Sequence, residues 1–441
     1  MIDSGVSSRS CEGVRIEERD KLMTRATKTN HIEFEHGASR KGGVRVAEAQ
    51  GANMGSDVRL LARDDFDRDV WCVLGAPIDM VDLPGAVTTL EASVRDGERL
   101  SFVTPNVNWL VRALNDPEAR AQMIDADLSL ADGAPVVALA KLLGAPLRER
   151  AAGSDLFDAL KGRSTLGAKL KVFFFGGRDG AAEAAYAAIN EDRGGMEAVG
   201  WLNPGFGDVE TMSSDKIIDE INAADPDFIV VSLGAAKGQA WIDHNQARLN
   251  ASTIAHLGAV VDFAAGTIVR APQWMAKSGL EWVWRVFAEG SLWKRYYKDG
   301  LSLLSLMARR LPRQLFGKSS KAENSTPSAD VIPTAIGTTI KLAGSLTHDN
   351  LDPVRQAFRE AAKSGNEVYL DFSDSDGFDH AFLGLVLMLE KHVTRHGKEI
   401  VLMNIDQRSI KLFGSNSMHY AVETDVEMTY DDARNPDRAA S

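Results

Sequence analysis

The stretch VFFFGGRDG at residues 172–180 is followed directly by an alanine-rich, amphipathic segment at residues 181–190. An apolar run that ends in glycines and continues with helical periodicity is typical of a buried strand that turns into a helix. The same alternation extends in both directions along the chain. The other predicted strands are 71–74, 100–103, 128–130, 198–202, 228–233 and 254–261, and the other predicted helices are 107–124 and 216–223. This order predicts a doubly wound, Rossmann-like α/β core around a parallel sheet.

Composition and charge exclude several classes of protein. The chain has 441 residues, enough for two or three domains, and 44% of them are hydrophobic. A formal net charge of −12 argues against general nucleic-acid binding, because phosphates need a basic surface. The two cysteines support neither a disulfide framework nor a zinc site, which favours the cytoplasm. We find no apolar run long enough to cross a membrane and no secretory signal, so we expect membrane contact to be peripheral, at the inner face.

Changes in composition predict the domain boundaries. A polar leader is expected to be disordered, and a segment rich in Trp, Tyr, Lys and Arg follows the α/β core. A polar linker then leads to a second α/β body, which is long enough to hold its own hydrophobic core. The predicted segments are 1–66 (leader), 67–279 (core), 280–318 (basic aromatic segment), 319–330 (linker), 331–432 (C-terminal domain) and 433–441 (tail).

The loops after the predicted strands hold the candidate site residues, because ligands bind at the carboxyl ends of the strands in such sheets. Asp132 follows the run 128–130. It is interpreted either as a turn residue or as a general base that accepts the proton of a sugar hydroxyl. Asn106, which ends a Thr-Pro-Asn sequence, either caps the next helix or binds a ligand.

Two other patterns are weak as cofactor or metal motifs. Gly176 and Gly177 suit either a tight turn or the approach of a diphosphate to a helix N-terminus, but no GxGxxG sequence can be written there. The Asp-x-Asp sequences at 125–127 and 225–227 precede predicted strands, which places them at the edge opposite to the ligand. We therefore expect neither a metal site nor a cofactor.

Five motifs, taken in order, resemble the WecG/TagA/CpsF family of bacterial glycosyltransferases. They are residues 104–109, 127–133 (DLSLADG), 150–155 (RAAGSD), 203–205 (NPG) and 260–272 (VVDFAAGTIVRAP). The resemblance covers about residues 70–297. It implies an inverting, metal-independent transfer of a hexose or N-acetylhexosamine from a UDP-sugar, typically UDP-N-acetylmannosamine, onto an undecaprenyl-diphosphate-linked saccharide. Such enzymes build cell-envelope glycans and exopolysaccharides.

The resemblance also implies roles for single residues. Asp132 matches the family's catalytic Asp, and Thr104 and Asn106 match the Thr and Asn of the first motif, which would line the pocket. Arg150 matches an Arg that could face the diphosphate, or it forms an ion pair with the adjoining Glu149. Thr104 is expected to assist catalysis. Further substrate-binding residues are expected at Gly133, Asp155, Gly176, Gly177, Asn203, Gly234, Lys237, Gln239, Arg270, Arg285 and Arg295.

One loop departs from the family pattern. The family usually shows Gly-x-Pro-Lys-Gln-Glu after the sixth strand, whereas residues 234–239 here read GAAKGQ. Ala236, Gly238 and Gln239 thus stand where the family has Pro, Gln and Glu. This difference bears on which donor the loop accepts, and it leaves the expected base in place.

The C-terminal domain resembles a STAS domain, the fold of anti-sigma-factor antagonists. The matching stretches are VYLDFS (368–373), Phe378-Asp379 and LGL (383–385). Ala381 occupies the position of the usual phosphoacceptor serine, so we expect a dispensable module that binds a protein partner through the surface around Asp379 and the following helix. His380 is expected to be an exposed loop residue.

The basic aromatic segment, 280–318, is expected to dock on an anionic membrane surface. Trp and Tyr favour the headgroup region, and Lys and Arg are attracted to anionic lipids. The alternative is a helical pair that packs its aromatic side chains on the core. The expected partners are therefore a UDP-sugar, a lipid-linked acceptor, the membrane and one protein, with homo-oligomerisation left open.

Two alternative functions come from different classes of protein. One is a non-catalytic regulator or scaffold with a degenerate transferase core, which the altered loop at 234–239 supports. The other is a nucleotide-sugar oxidoreductase or epimerase. That function would need a dinucleotide turn and usually a Tyr-x-x-x-Lys pair, and we find neither in the core.

Overall fold

We describe the fold from a computed structural model, which covers residues 63–162, 167–192, 194–268, 271–272, 275, 283–284, 287, 293–316 and 325–423. The core domain comprises residues 63–316. Its strands are β1 (Val70–Val73), β2 (Ala76–Asp79), β3 (Leu100–Val103), β4 (Leu128–Ser129), β5 (Leu170–Gly176), β6 (Met196–Leu202), β7 (Phe228–Ser232) and β8 (Thr253–His256). Its helices are α1 (Leu83–Asp96), α2 (Val107–Ala113), α3 (Pro117–Asp125), α4 (Ala134–Leu142), α5 (Gly153–Gly162), α6 (Ala181–Glu191), α7 (Asp215–Ala223), α8 (Ala235–Asn245), α9 (Gly258–Ala264) and α10 (Trp293–Phe316).

The main sheet has six parallel strands in the order β4-β3-β8-β7-β5-β6. Both of its faces are covered. Phe174 packs on one face with α1, α5, α6 and α9, whereas Phe173 and Phe175 pack on the other face with α7 and α8. Successive side chains of a strand point to opposite faces, so a strand buried on both sides is apolar throughout. The doubly wound, Rossmann-like sheet predicted from the sequence is confirmed.

Two elements end earlier than the sequence predicts. The single helix predicted over 107–124 is divided into α2 and α3, because Asp116 caps α3 by accepting hydrogen bonds from Glu118 N and Ala119 N. The strand predicted over 254–261 ends at His256, and residues 258–264 form α9 instead. Short apolar runs do not distinguish a buried strand from a buried helix, which explains this error.

Residues 70–79 form a separate hairpin, not a strand of the main sheet as predicted for 71–74. β1 pairs with β2 in antiparallel orientation, and Leu74 and Gly75 make the turn with positive φ angles of 53° and 86°. The preceding residues, Asp65–Asp67, form a 3₁₀ turn in which Asp65 and Phe66 are buried. The predicted disordered leader, 1–66, therefore extends too far toward the core. Residues 1–62 lie outside the described residues.

The C-terminal domain, described over residues 325–423, is a five-stranded sheet with three helices. Its strands are β9 (Ser328–Pro333), β10 (Thr338–Leu346), β11 (Val368–Phe378), β12 (Ile400–Met403) and β13 (Ala421–Glu423), and its helices are α11 (Asp352–Ser364), α12 (His380–Arg395) and α13 (Gln407–Ser415). The strand order is β13-β12-β11-β10-β9, with β9 antiparallel to β10 and the other pairs parallel. The predicted second α/β body is confirmed, but β9 begins inside the predicted linker, 319–330.

The core domain and the C-terminal domain share one continuous hydrophobic core. The hairpin β1-β2 packs directly on α12, and the same buried cluster contains residues of β1, α2, α3, α4, α10 and every helix of the C-terminal domain. The hairpin approaches α12 through its backbone atoms. A Cβ at Gly384 would lie 2.1 Å from Val70 O, and a Cβ at Gly75 would lie 2.0 Å from Asn416 O. These glycines allow a close approach that no side chain would permit.

A buried ionic network joins the same surfaces. Lys391 Nζ of α12 is 1% exposed and lies 2.9 Å from Asp65 Oδ1 and 3.2 Å from Asp127 Oδ1. Arg68, also buried, is 2.8 Å from Asp65 and from Asp79. Burial alone would raise the pKa of Asp65. The hydrogen bond from His392 and the charges of Lys391 and Arg68 outweigh burial, so the carboxyl pKa lies well below its usual range.

The surface that the sequence predicts to bind a protein partner is used within the chain. Asp379 caps α12 by accepting from Ala381 N and Phe382 N, and it also accepts from His348 N. Ala381 is buried, and His380 is 1% exposed in the first turn of α12, so the prediction of an exposed His380 is wrong. Since α12 packs on the hairpin, the face of α12 in this contact is not available to a protein partner, and the dispensability of the domain stays a prediction.

Candidate active site

A cavity of about 710 Å³ opens at the carboxyl ends of β3, β4, β7 and β8. This is the edge of the sheet at which ligands bind in open α/β folds. Its walls come from the loops after these strands, from the first turns of α2, α4, α8 and α9, and from α10. The sequence-predicted residues that line it are Thr104, Asn106, Asp132, Gly133, Arg150, Gly234 and Gln239.

Backbone hydrogen bonds bring three of the five sequence motifs together. Asp132 N donates to Pro105 O of the first motif at 3.1 Å, and Ala151 N of the third motif donates to Ala131 O at 3.0 Å. Asp132 is half-buried at the cavity wall. Gly133, with a φ of 94°, then starts α4. A carboxylate held this way by its backbone can act as a base on a hydroxyl group that enters the cavity.

Asn106 both caps a helix and lines the cavity. Its Oδ1 accepts from Trp109 N at 3.3 Å, which caps α2, and the residue also lines the cavity. Two residues further on, Asn108 Nδ2 donates to both carboxylate oxygens of Asp299, at 3.2 and 3.1 Å. Asp299 is 9% exposed and belongs to α10. The first motif therefore anchors α10 over the cavity.

Arg150 forms an ion pair with Asp155, at 2.9 Å, rather than with the adjoining Glu149. The pair lies beside the start of α5, where Gly153 permits close packing. A Cβ at Gly153 would lie 2.4 Å from the Leu257 side chain. The RAAGSD motif thus places a guanidinium at a helix N-terminus on the cavity wall, an arrangement suited to phosphate oxygens.

Five of the described residues that were predicted to bind substrate do not line the cavity, and one of them is Asp155, the ion-pair partner of Arg150. Gly176 and Gly177, with φ angles of 86° and 100°, form the tight turn after β5, and a Cβ at Gly176 would lie 2.7 Å from Ser232 O. Asn203 Oδ1 accepts from Gly205 N within its own turn, and Lys237 Nζ donates to Gly207 O at 2.6 Å. Arg270 and Arg285 lie outside the described residues, as does the side chain of Arg295.

The two Asp-x-Asp sequences have structural partners at the amino edge of the sheet, as predicted. Asp127 accepts from Ser101 N at 2.9 Å and from the Ser101 hydroxyl, and Asp227 accepts from Lys171 N at 2.8 Å. Each carboxylate thus joins neighbouring strands at their amino ends.

Sequence reasoning missed His256, Asn108 and Asp299 on the cavity wall. Asn108 stands two residues after Asn106, within the first motif, and Asp299 is the single acid in the basic sequence of α10 (Trp293–Phe316), so both had a detectable signal. His256 had none, because it lay inside an apolar run assigned to a longer strand.

Helix α10 lies between the cavity and solvent. Asp299, Gly300 and Leu303 face the cavity, whereas Trp293, Tyr297, Leu301 and Leu304 are between 50% and 64% exposed. The exposed residues are spaced by four, four and three positions, so they form one apolar stripe along the helix. In the part of the chain that the structure describes, no helix is long and apolar enough to cross a bilayer.

Known proteins are similar to two parts of this chain. N-acetylglucosaminyldiphosphoundecaprenol N-acetyl-beta-D-mannosaminyltransferase of Bacillus spizizenii is 30% identical over 221 residues, which is 49% of this chain and 84% of that protein. The protein of the same name from Staphylococcus aureus is 26% identical over 227 residues, or 51% of this chain and 85% of that protein. A solved structure of the anti-sigma factor antagonist SpoIIAA in its unphosphorylated form covers 25% of this chain and 98% of its own, with 19% identity and a TM-score of 0.21.

Two family profiles divide the chain. The profile described as Mlab, STAS domain, matches residues 334–418, which confirms the resemblance of the C-terminal domain to STAS domains. The profile of the glycosyl transferase WecG/TagA/CpsF family matches residues 71–316, more than half of the chain and all of the cavity described above. The chain is therefore a glycosyltransferase that belongs to the WecG/TagA/CpsF family.

Proposed function

We propose that the protein transfers a hexose or N-acetylhexosamine from a UDP-sugar onto an undecaprenyl-diphosphate-linked saccharide in cell-envelope glycan or exopolysaccharide synthesis. The relatives are named for transfer of N-acetylmannosamine to such a lipid-linked acceptor, and the chain covers most of their length. The observation that carries the proposal is the position of Asp132. It shares one cavity with Thr104, Asn106 and Arg150.

In the proposed reaction Asp132 accepts the proton of the acceptor hydroxyl. The hydroxyl oxygen attacks the anomeric carbon from the face opposite to the leaving group, so the bond to the UDP oxygen breaks with inversion. UDP leaves with the bonding electron pair. Arg150 and the N-terminus of α5 stabilise the charge that develops on the diphosphate, without a metal ion. Thr104 and Asn106 orient the reacting hydroxyl.

The exposed stripe on α10 supports placement at the cytoplasmic face of a membrane. Trp293 and Tyr297 suit the headgroup region, and Leu301 and Leu304 suit the acyl boundary below it. Lys294, Lys298 and Arg309 add positive charge along the same helix, which favours anionic lipids. Because the opposite side of α10 faces the cavity, docking would bring the lipid-linked acceptor to the site.

We also propose that the STAS-like domain is a structural part of the transferase. Arg310 of α10 donates to Ser415 O and to the Ser417 hydroxyl, and Gln314 Nε2 donates to Ser415 O and Asn416 Oδ1. The domain thus holds the C-terminal half of the helix whose N-terminal half covers the cavity. A protein partner of this domain would have to use surfaces other than the buried face of α12.

The test is transfer by the full chain in detergent. A short-chain prenyl-diphosphate N-acetylglucosamine serves as acceptor, and UDP-N-acetylmannosamine, UDP-N-acetylglucosamine and UDP-glucose are compared as donors. We expect release of UDP with at least one donor, and Asp132→Asn should lower turnover by about 100-fold or more. Asp179→Asn is the matched control, an exposed carboxylate outside the cavity wall at the same edge of the sheet, and should leave turnover unchanged.

Two outcomes would contradict the proposal. Turnover by Asp132→Asn close to that of the wild type would exclude Asp132 as the base. A folded wild-type protein that releases no UDP with any of these donors would favour the regulator or scaffold alternative.

A further inference from the structure

His256 is held in one orientation on the cavity wall. It is the last residue of β8, and its Nε2 lies 2.6 Å from Leu233 O. A carbonyl oxygen only accepts hydrogen bonds, so Nε2 must carry the proton. Burial lowers the pKa of His256, which keeps the ring neutral at physiological pH. In a neutral ring with the proton on Nε2, Nδ1 is a hydrogen-bond acceptor.

The chain makes room for this imidazole at Gly238. A Cβ at that position would lie 2.1 Å from His256 Cδ2 and 2.9 Å from both Cγ and Nε2. Real Cβ atoms do not approach other heavy atoms so closely, so a side chain at residue 238 and the His256 ring exclude each other. Gly238 lies in the first turn of α8, because residues 235–239 start this helix and do not form the predicted loop, and it stands where the family usually has Gln.

Gln239, the next residue, presents a second acceptor in the same wall. It is 2% exposed and lines the cavity, and its Nε2 donates to Asp243 Oδ1 at 3.0 Å. Its Oε1 has no hydrogen-bond partner among the described residues. A buried acceptor left without a partner is destabilising, and a ligand N–H or O–H that reaches it would remove that cost.

These acceptors belong to other elements of the cavity wall than α10 and the helix on which it packs. Helix α10 packs on α2, which follows β3. His256 ends β8, and Gln239 belongs to α8, which follows β7; β8 and β7 are the next two strands of the sheet after β3. Under the proposed function the lipid-linked acceptor enters along α10. The remaining wall, formed by residues 234–239 and His256, is then left for the nucleotide sugar.

We infer that His256 is a specificity-determining residue that accepts a hydrogen bond, through Nδ1, from an O–H or N–H group on the sugar of the nucleotide donor. This inference rests on the proposed function. The imidazole takes the space that a side chain at residue 238 would fill, and its hydrogen bond to Leu233 O fixes its geometry. Gln239 offers a second acceptor to the same edge of the sugar.

Two conservative substitutions separate the role of Nδ1 from that of Nε2. In His256→Asn the amide oxygen can take the place of Nδ1, whereas in His256→Gln the amide nitrogen can take the place of Nε2 and keep the bond to Leu233 O. We expect His256→Ala and His256→Gln to raise KM for the preferred UDP-sugar by about 3- to 10-fold, as for one lost hydrogen bond. His256→Asn should stay within about 2-fold of the wild type, and KM for the lipid-linked acceptor should not change in any of them.

Binding of UDP alone, measured by calorimetry, assigns the contact to the sugar or to the nucleotide. Unchanged UDP affinity in His256→Ala supports a contact with the sugar, whereas equal losses for UDP and the UDP-sugar would overturn it. Retention of donor KM by His256→Gln, with loss in His256→Asn, would show that only the bond to Leu233 matters and would also overturn it. A wild type that transfers no sugar contradicts the proposed function and this inference with it, whereas normal transfer with unchanged donor KM in all three variants contradicts this inference alone.

The pair Gly238→Ala and Gly238→Ala/His256→Ala checks the packing independently. The single variant should lose thermal stability because of the 2.1 Å contact, and the double variant should recover it because the ring is gone. The double variant should keep the raised donor KM of His256→Ala. If Gly238→Ala is as stable as the wild type and keeps its donor KM, the ring does not occupy this space and the inference fails.

Discussion

Replacing Gly384 with alanine tests whether the STAS-like domain is built into the transferase. Gly384 lies inside α12, where alanine would normally gain about 1 kcal/mol of helix stability over glycine. Here its Cβ would lie 2.1 Å from Val70 O and 2.7 Å from Val70 C. Both are backbone atoms of a paired strand, so no side chain can rotate away. The hairpin would have to move by about 1.2 Å to restore an ordinary C···O contact of about 3.3 Å.

The expected loss in free energy of unfolding depends on the buried residues that the hairpin contributes. All four residues of β1 are buried, and the hairpin also supplies Asp79 to the buried Arg68. Forcing extra atoms into a packed core costs about 1–3 kcal/mol. We therefore expect Gly384→Ala to destabilise the protein by about 1–3 kcal/mol, and to lower Tm by about 2–12 °C for domains of this size.

Thermal unfolding followed by circular dichroism and by calorimetry measures this loss. Gly162→Ala, at the end of α5, is the matched control, because its Cβ would meet no atom within 4 Å, and Tm should stay constant or rise. A Tm of Gly384→Ala equal to or above that of the wild type would refute the packing of α12 on the hairpin. Separate unfolding transitions for the two halves of the wild type would refute the shared core.

Three further predictions concern the exposed apolar stripe of α10, the contact between Asp299 of α10 and Asn108, and the buried ionic network. Leu301→Glu should weaken binding to anionic vesicles in a sedimentation assay, whereas Leu142→Glu, equally exposed on α4, should not; equal effects would place docking elsewhere. Asp299→Asn should raise the acceptor KM by about 2- to 10-fold, as for one lost charged hydrogen bond, with donor KM unchanged in the same kinetic assay. Because the folded pKa of Asp65 lies below its unfolded value, its contribution is full above about pH 4 and is lost as the pH falls further. The Tm difference between the wild type and Asp65→Asn should therefore shrink below about pH 4, and a difference independent of pH would contradict this assignment.

Much of the fold could be predicted because the buried strands are local and strongly apolar. The phenylalanines at 173–175 and the glycines after them determine a strand and its turn without help from the rest of the chain. The hairpin at 70–79 could not be predicted in this way. Its apolar residues satisfy the pattern of any buried strand, and only contacts with α12, more than 300 positions away, decide where it packs.

The sequence predicted part of the lining of the candidate site. Thr104, Asn106, Asp132 and Arg150 converge as expected. Gly176 and Gly177 do not, because the same glycine signal serves tight turns, and here the turn approaches Ser232 O. Two long-range contacts could not be predicted from one sequence. They are the contact of His256 with Gly238 and the contact of Asn108 with Asp299.

Helix α10 links the occupancy of the cavity to the docking of the STAS-like domain. Asp299 and Gln314 are 15 residues apart, about 22 Å along the helix, and one contacts the cavity wall while the other contacts the C-terminal domain. If ligand binding at the cavity stabilises the position of α10, it must strengthen the hold of the C-terminal domain by the same free energy. This coupling between ligand binding and domain docking is reciprocal. Any ligand that favours the docked STAS-like domain raises the affinity of the cavity, although that ligand never touches a sugar.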